Sequence, residues 1–276
     1  MLKLHIPPLG EQHQADLQAL QDKVNQQADY AAQVAYAKEH WRKKPAALFA
    51  DHLKPQLAAP LSGNGRCVYC EGSWADQIEH MRPKDFFPEQ TYVWDNYVLA
   101  CGPCNGSYKR NQFALLLANG ELHELRRPRG SAVTPPPAGD YALLDPRVDN
   151  PLDFLWLDLN TGRYAANSDD EDSPQAKRAD YTIKILGLND RDTLVRGRQA
   201  ALYSYLALLK SWCDEHESWT EAERQFRLQV FHQQHYRSVW AQLVQRYRQQ
   251  RLRADSFATA AAFIECFSRA PEALDW

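Results

Sequence analysis

The sequence predicts an α+β protein that is mainly α-helical. Three observations carry this: a C-terminal third with apolar residues at helical spacing, a loop-rich middle with two C-x2-C pairs, and one strand–turn–strand pattern near residue 160. With 276 residues, 44% apolar and 24% charged, the chain can bury a sizeable core. Four segments follow in order: an N-terminal helical segment (1–62), a cysteine-paired core (63–125), a linker with a β-hairpin (126–174), and a C-terminal helical bundle or cap (175–276).

Within residues 11 to 43, Leu17, Leu20, Val24, Ala28, Ala31 and Val34 or Ala35 recur three and four apart, which predicts one amphipathic helix that Pro45 ends. Residues 46 to 53 form a second short helix, and Ser62-Gly63-Asn64-Gly65 makes a flexible boundary near residue 62. Residues 126 to 140, rich in Arg, Pro and Gly, read as a linker or surface crossing. Phe154 to Leu159, then Asn160-Thr161-Gly162, then Arg163-Tyr164 read as a hairpin with a glycine turn. Asp169-Asp170-Glu171-Asp172 reads as a solvated, self-repelling loop rather than a metal cluster.

From Gln175 onward the pattern is helical: a segment closed by Gly187, then 191 to about 213, 221 to about 253, and 256 to about 267. The long helix from 221 has seven Arg against Glu221 and Glu223, with Phe226, Val230, Trp240, Leu243 and Tyr247 as its buried stripe. Its arginines, Arg246, Arg248 and Arg251 above all, either line a nucleic-acid groove or form a solvated face.

The opening residues carry no apolar run behind a basic head, and no stretch approaches the ~20 apolar residues of a membrane span, so a cytoplasmic protein is expected. Six cysteines in a reducing compartment serve metal binding better than disulfides. A formal charge of −3 and a pI near 6.3 do not suit a free-standing, sequence-blind nucleic-acid binder, so any such substrate is delivered with help.

Cys67-Val68-Tyr69-Cys70 and Cys101-Gly102-Pro103-Cys104 are separated by thirty residues, and each pair presents two thiolates on one knuckle. Tetrahedral, sulfur-preferring zinc suits four such ligands and leaves no position for water, so Cys67, Cys70, Cys101 and Cys104 predict a structural Zn²⁺ site. Cys213 and Cys266 fall in helical patterns and read as buried structural thiols.

Between and after the knuckles lie Glu79-His80-Met81-Arg82-Pro83-Lys84, then Trp94-Asp95-Asn96-Tyr97, and Asn105 directly after Cys104. The order acid, His, Asn, Asn inside a zinc scaffold resembles the HNH endonucleases, over about residues 66 to 112. That resemblance implies a ββα-metal core in which His80 is the general base, Glu79 and Asn105 hold a catalytic Mg²⁺ or Mn²⁺, and Asn96 braces the loop that orients the base. Lys109, with Arg110, would meet phosphate charge. The acid is Glu where Asp is frequent, and the last residue is Asn where His is frequent; both keep an oxygen ligand.

Phosphodiester hydrolysis needs such groups. A neutral imidazole, with an ordinary pKa of ~6.5, takes a proton from the attacking water, and a hard cation with oxygen ligands stabilises charge on phosphorus and on the leaving oxygen. The order of parts, with Leu144-Asp145-Pro146-Arg147 before the hairpin and Ala179-Asp180-Tyr181-Thr182 after it, also resembles the PtuB-type HNH subunits of Septu and retron-linked anti-phage systems. That resemblance implies an ABC-type ATPase partner (PtuA-like) and a nucleic acid substrate, DNA or alternatively tRNA. The competing reading is a zinc-stabilised nucleic-acid-binding or adaptor subunit without chemistry of its own.

Overall fold

The computed structural model describes residues 1–59 and 65–276, so the boundary expected at residue 62 lies outside the described residues. Helices α1 (Glu11–Asn25) and α2 (Tyr30–Arg42) open the fold. They replace the single helix expected over 11 to 43, because Asp29 turns its carboxylate back to accept from the Ala32 N–H at 2.8 Å. That side chain satisfies one orphan donor and starts a new helix instead of continuing the old one. A π-helical turn, Leu48–Leu53, runs into α3 (Lys54–Ala58).

The cysteine-bearing region is built on a two-stranded antiparallel sheet, β1 (Gln77–His80) against β2 (Tyr97–Ala100), with Gln77 opposite Ala100 and His80 opposite Tyr97. A π-helical turn, Pro103–Lys109, follows β2. Its wide winding shows in the Arg110 N–H bonding the Asn105 carbonyl at 2.8 Å, five residues back.

Next comes a three-stranded antiparallel sheet in the order β4 (Leu122–Leu125), β3 (Phe113–Leu116), β5 (Asp140–Tyr141). The sequence pattern did not point to it, since Phe113-Ala114-Leu115-Leu116 is buried on both faces and lacks the alternation that marks a strand.

A helical turn α4 (Pro151–Phe154) leads into the expected hairpin, β6 (Leu155–Asp158) and β7 (Arg163–Ala166). Its Gly162 has φ +70°, and a Cβ there would sit 2.6 Å from the Val195 carbonyl oxygen, so both the turn and helix packing require glycine.

Helices α5 (Pro174–Ile185), α6 (Asp192–Glu215), α7 (Glu221–His232), α8 (Arg237–Arg248) and α9 (Ala260–Arg269) complete the chain. The single helix expected from 221 is broken at 233–236, where Tyr236 takes φ +55° and packs its ring against Gly72 and Gly197. The groove expectation for its arginines meets a different arrangement. Arg246 is buried, stacks on Trp156 at 3.6 Å and donates to the Leu157 carbonyl, while Arg248 bonds the Leu274 carbonyl and pairs with Asp275.

One hydrophobic core takes residues from all four predicted segments, including Leu17, Phe49, Tyr97, Leu157 and Trp240. The N-terminal helices therefore pack directly on the cysteine-bearing region. Among the described residues no helix is long and apolar enough to cross a membrane.

Candidate functional site

The sulfur atoms of Cys67, Cys70, Cys101 and Cys104 all lie within 4.8 Å of one another, buried and without a disulfide. Two matching turns create this. The Glu71 N–H bonds the Cys67 carbonyl at 2.8 Å and the Asn105 N–H bonds the Cys101 carbonyl at 3.0 Å, so each knuckle aims two sulfurs inward. Tetrahedral Zn–S bonds of ~2.3 Å require sulfurs ~3.8 Å apart, and Cys70 and Cys101 stand at 3.8 Å. The cluster can thus hold a metal ion such as zinc. Arg191 donates to the Cys104 sulfur at 3.3 Å and lies over the Tyr108 ring, bringing positive charge to a thiolate set. Such a cluster would fasten the end of β2 to the 67–70 loop and fix where the π-helical turn begins.

His80, the last residue of β1, is buried beside α2. Its ring meets Trp41 edge to face at 4.1 Å and Tyr97 at 5.3 Å. Nε2 donates to the Thr91 carbonyl at 2.8 Å, and the Tyr97 hydroxyl donates to the same oxygen at 2.6 Å. With Nε2 carrying the hydrogen, Nδ1 keeps its lone pair. Burial, reinforced by the positive charge of Lys84, holds the imidazole well below its ordinary pKa, so it is neutral at pH 7.

The Thr91 carbonyl is itself held by a network. Gln21 of α1 donates to the Pro88 carbonyl at 3.1 Å and accepts from the Tyr92 N–H at 2.8 Å. Asn96, fully buried, donates to the carbonyls of Arg82 (3.0 Å) and Gln90 (2.8 Å) and accepts from the Arg82 N–H (2.8 Å). It joins the segment that follows His80 to the turn that holds the His80 ring.

Glu79 and His80 are neighbours on a strand, so their side chains leave opposite faces of the hairpin. On the Glu79 face the π-helical turn forms two rungs with β1. Asn105 donates to Gln77 Oε1 at 2.9 Å, and the fully buried Lys109 forms an ion pair with Glu79. The Lys109 ammonium also donates to the His80 carbonyl at 2.8 Å. Burial pushes the Glu79 carboxyl up in pKa, against the pull of Lys109. Of the residues expected at the site, Glu79 and Lys109 meet, and Lys109 reaches His80 only at its backbone carbonyl, the imidazole lying on the other face of the hairpin with Asn96 bracing its loop; Asn105 spends its amide one rung away on Gln77. Arg110 is exposed, with its guanidinium on the Gly106 carbonyl.

Lys44 and Lys84 flank this arrangement and did not figure among the expected site residues. Lys44 Nζ lies 4.5 Å from the Trp41 ring and Lys84 Nζ 5.8 Å from it. Both ammonium groups are half-buried, burial lowers the pKa of both, and neither has a carboxylate within ion-pair distance among the described residues. Lys84 stood inside the motif and offered a signal; Lys44, Trp41 and Gln21 come from the N-terminal segment, where no local pattern marks them. A cleft of about 430 Å³ opens between Lys38, Asp85 and Arg126–Arg127; Lys84, Lys44 and His80 do not line it.

No protein-family model matches the chain. Over 146 residues it is 26% identical to the Septu protein PtuB of Bacillus mycoides (strain KBAB4), an alignment that covers 47% of this chain and 44% of that protein, so the match spans under half the length of either.

Proposed function

We propose that this chain is an HNH endonuclease that hydrolyses nucleic acid phosphodiester bonds, acting in anti-phage defence of the Septu type. The observation that carries the reading is His80: its Nε2 is committed to a backbone carbonyl, its Nδ1 keeps the lone pair, and the ammonium groups of Lys44 and Lys84, which have no carboxylate partner among the described residues, lie by the Trp41 ring that the imidazole meets. In that reading Nδ1 takes a proton from water, the water oxygen attacks phosphorus, and the P–O ester bond breaks with the leaving oxygen protonated by solvent. Lys44 and Lys84 attract and neutralise the phosphate. Asn96 is a positioning residue.

The succession of β1, β2 and the π-helical turn supports a ββα-metal core, and the four sulfurs support structural zinc. The divalent ion implied by the HNH resemblance, Mg²⁺ or Mn²⁺, would take Glu79 and Asn105. As arranged, these residues do not fit it, because Glu79 is matched by the Lys109 ammonium and Asn105 is turned to Gln77. The likeness to a Septu protein supports a defence role; the resemblance of the order of parts to PtuB-type subunits adds an ABC-type ATPase (PtuA-like) as the partner that delivers or restrains the chain, and DNA, or alternatively tRNA, as substrate.

The burial of His80 and Glu79 favours a second reading, a zinc-stabilised nucleic-acid-binding or adaptor subunit. One assay separates the two. Wild-type protein and His80→Ala, each with its zinc content measured, are incubated with plasmid DNA and with tRNA. Strand scission by the wild type alone supports the nuclease; binding without scission by both proteins supports the adaptor.

A further inference from the structure

We propose that Lys109 is the resident cation of the Glu79 site, and that it keeps divalent ions off that carboxylate in the folded protein. The inference deepens the nuclease reading and takes the region around Glu79 and His80 as its reaction site.

Three observations lead to it. Glu79 is 3% exposed and Lys109 is 0% exposed, so the two charges face each other out of water. A buried carboxylate in this position persists only with a cation beside it, and the ammonium is already there. Second, Lys109 is anchored twice, since the same ammonium donates to the His80 carbonyl at 2.8 Å. Withdrawing it would leave that oxygen as well as the carboxylate without this partner. Third, the neighbouring rung is closed by Asn105 on Gln77 at 2.9 Å. An ion bound jointly by Glu79 and Asn105 would have to enter between two made rungs, beside an ammonium whose repulsion is strengthened by low dielectric.

The winding of Pro103–Lys109 gives the local cause. Its i to i+5 bond, from the Arg110 N–H to the Asn105 carbonyl, widens the turn on which Lys109 sits opposite Glu79. The Lys109 ammonium thereby supplies fixed positive charge beneath the end of β1 and pins the backbone of His80. Its role is that of a positioning residue, which acts through Glu79 and the His80 carbonyl without requiring contact with substrate.

Direct Mn²⁺ binding tests this, followed by electron paramagnetic resonance on zinc-loaded, full-length protein. Lys109→Met should bind Mn²⁺ at least 100-fold more tightly than wild type, ~2.7 kcal/mol at 1.36 kcal/mol per tenfold, and Glu79→Gln in the Lys109→Met background should remove the gain. Lys109→Arg, which keeps the charge, should not acquire the site. Zinc content reports whether each variant folds; if Lys109→Met loses zinc, Lys109→Gln takes its place.

Wild-type binding of Mn²⁺ at submillimolar concentration that Glu79→Gln abolishes would overturn the proposal whatever the variants do. A folded Lys109→Met without tighter binding would overturn it too. Because the readout is ion binding, a protein that cleaves nothing but gains Mn²⁺ on loss of Lys109 would sink the nuclease reading and leave this inference standing.

Discussion

Asn96→Ala should be among the most costly single substitutions near the site. The side chain is fully buried and makes three hydrogen bonds, at 2.8, 2.8 and 3.0 Å, to groups in two separate loops. At ~1 kcal/mol net for each bond, their loss costs about 3 kcal/mol, and any backbone group left buried without a partner adds to that. At an unfolding entropy of ~2.1 cal/mol/K per residue, about 3 kcal/mol in this 276-residue chain corresponds to a fall of roughly 5 °C in melting temperature. Thermal unfolding of zinc-saturated protein, followed by tryptophan fluorescence, measures it.

Asn96→Asp should fare no better, since it replaces an NH2 donor with a carboxylate oxygen facing two carbonyls. In the cleavage assay both variants should lower kcat more than they raise KM, because the brace holds the imidazole and does not hold substrate. A fall below about 3 °C for Asn96→Ala would refute the hydrogen-bond argument, given the magnitudes above. A normal kcat in folded protein would refute the positioning role.

Lys44→Ala and Lys84→Ala should each weaken nucleic acid binding and reduce the salt dependence of log K by about one ion; fluorescence anisotropy at several salt concentrations reads both effects. Arg248→Ala should leave that binding unchanged, its guanidinium being engaged with Leu274 and Asp275. Chelation of zinc, or Cys101→Ser, should unfold the β1–β2 region and abolish activity together with the near-ultraviolet circular dichroism of its aromatic residues; full retention of that signal without zinc would contradict a structural metal.

The activity should also depend on pH with a definite sign. A base held well below its ordinary pKa is in its working form at pH 7, so kcat/KM should rise at acid pH, level off below the ordinary imidazole value of ~6.5 and stay flat through neutrality. Burial sets this shift, and the positive charges of Lys84, Lys109 and Lys44 add to it. An inflection above pH 7 would be inconsistent with the burial of His80.

The parts of this molecule that were legible before its structure are those written in local chemistry. The four cysteines declare a cluster by spacing alone, and the glycine turn at 160–162 declares a hairpin. Helix breaks were less visible, because an aspartate at position 29 serves equally well on an exposed helix face or as a cap. The run Phe113 to Leu116 could not announce a strand, since burial on both faces erases alternation.

Arg246 illustrates the opposite failure: an arginine-rich segment suggests an exposed basic face, yet stacking on Trp156 and a bond to the Leu157 carbonyl put this one in the interior. At the candidate site, the resemblance to HNH endonucleases pointed to Glu79, His80, Asn96 and Lys109. The groups that surround His80 come from elsewhere in the chain: Trp41 and Lys44 lie at and just beyond the end of α2, and Gln21 acts through the 88–92 turn. Only tertiary packing could reveal them.

The measurement closest to the centre of the account is the single-turnover cleavage rate of an end-labelled oligonucleotide by wild-type and His80→Ala protein, matched for zinc content and binding. Loss of the base should slow scission by roughly 10²–10⁴-fold while the substrate remains bound. Equal rates for the two proteins would show that the His80 imidazole takes no part in the chemistry.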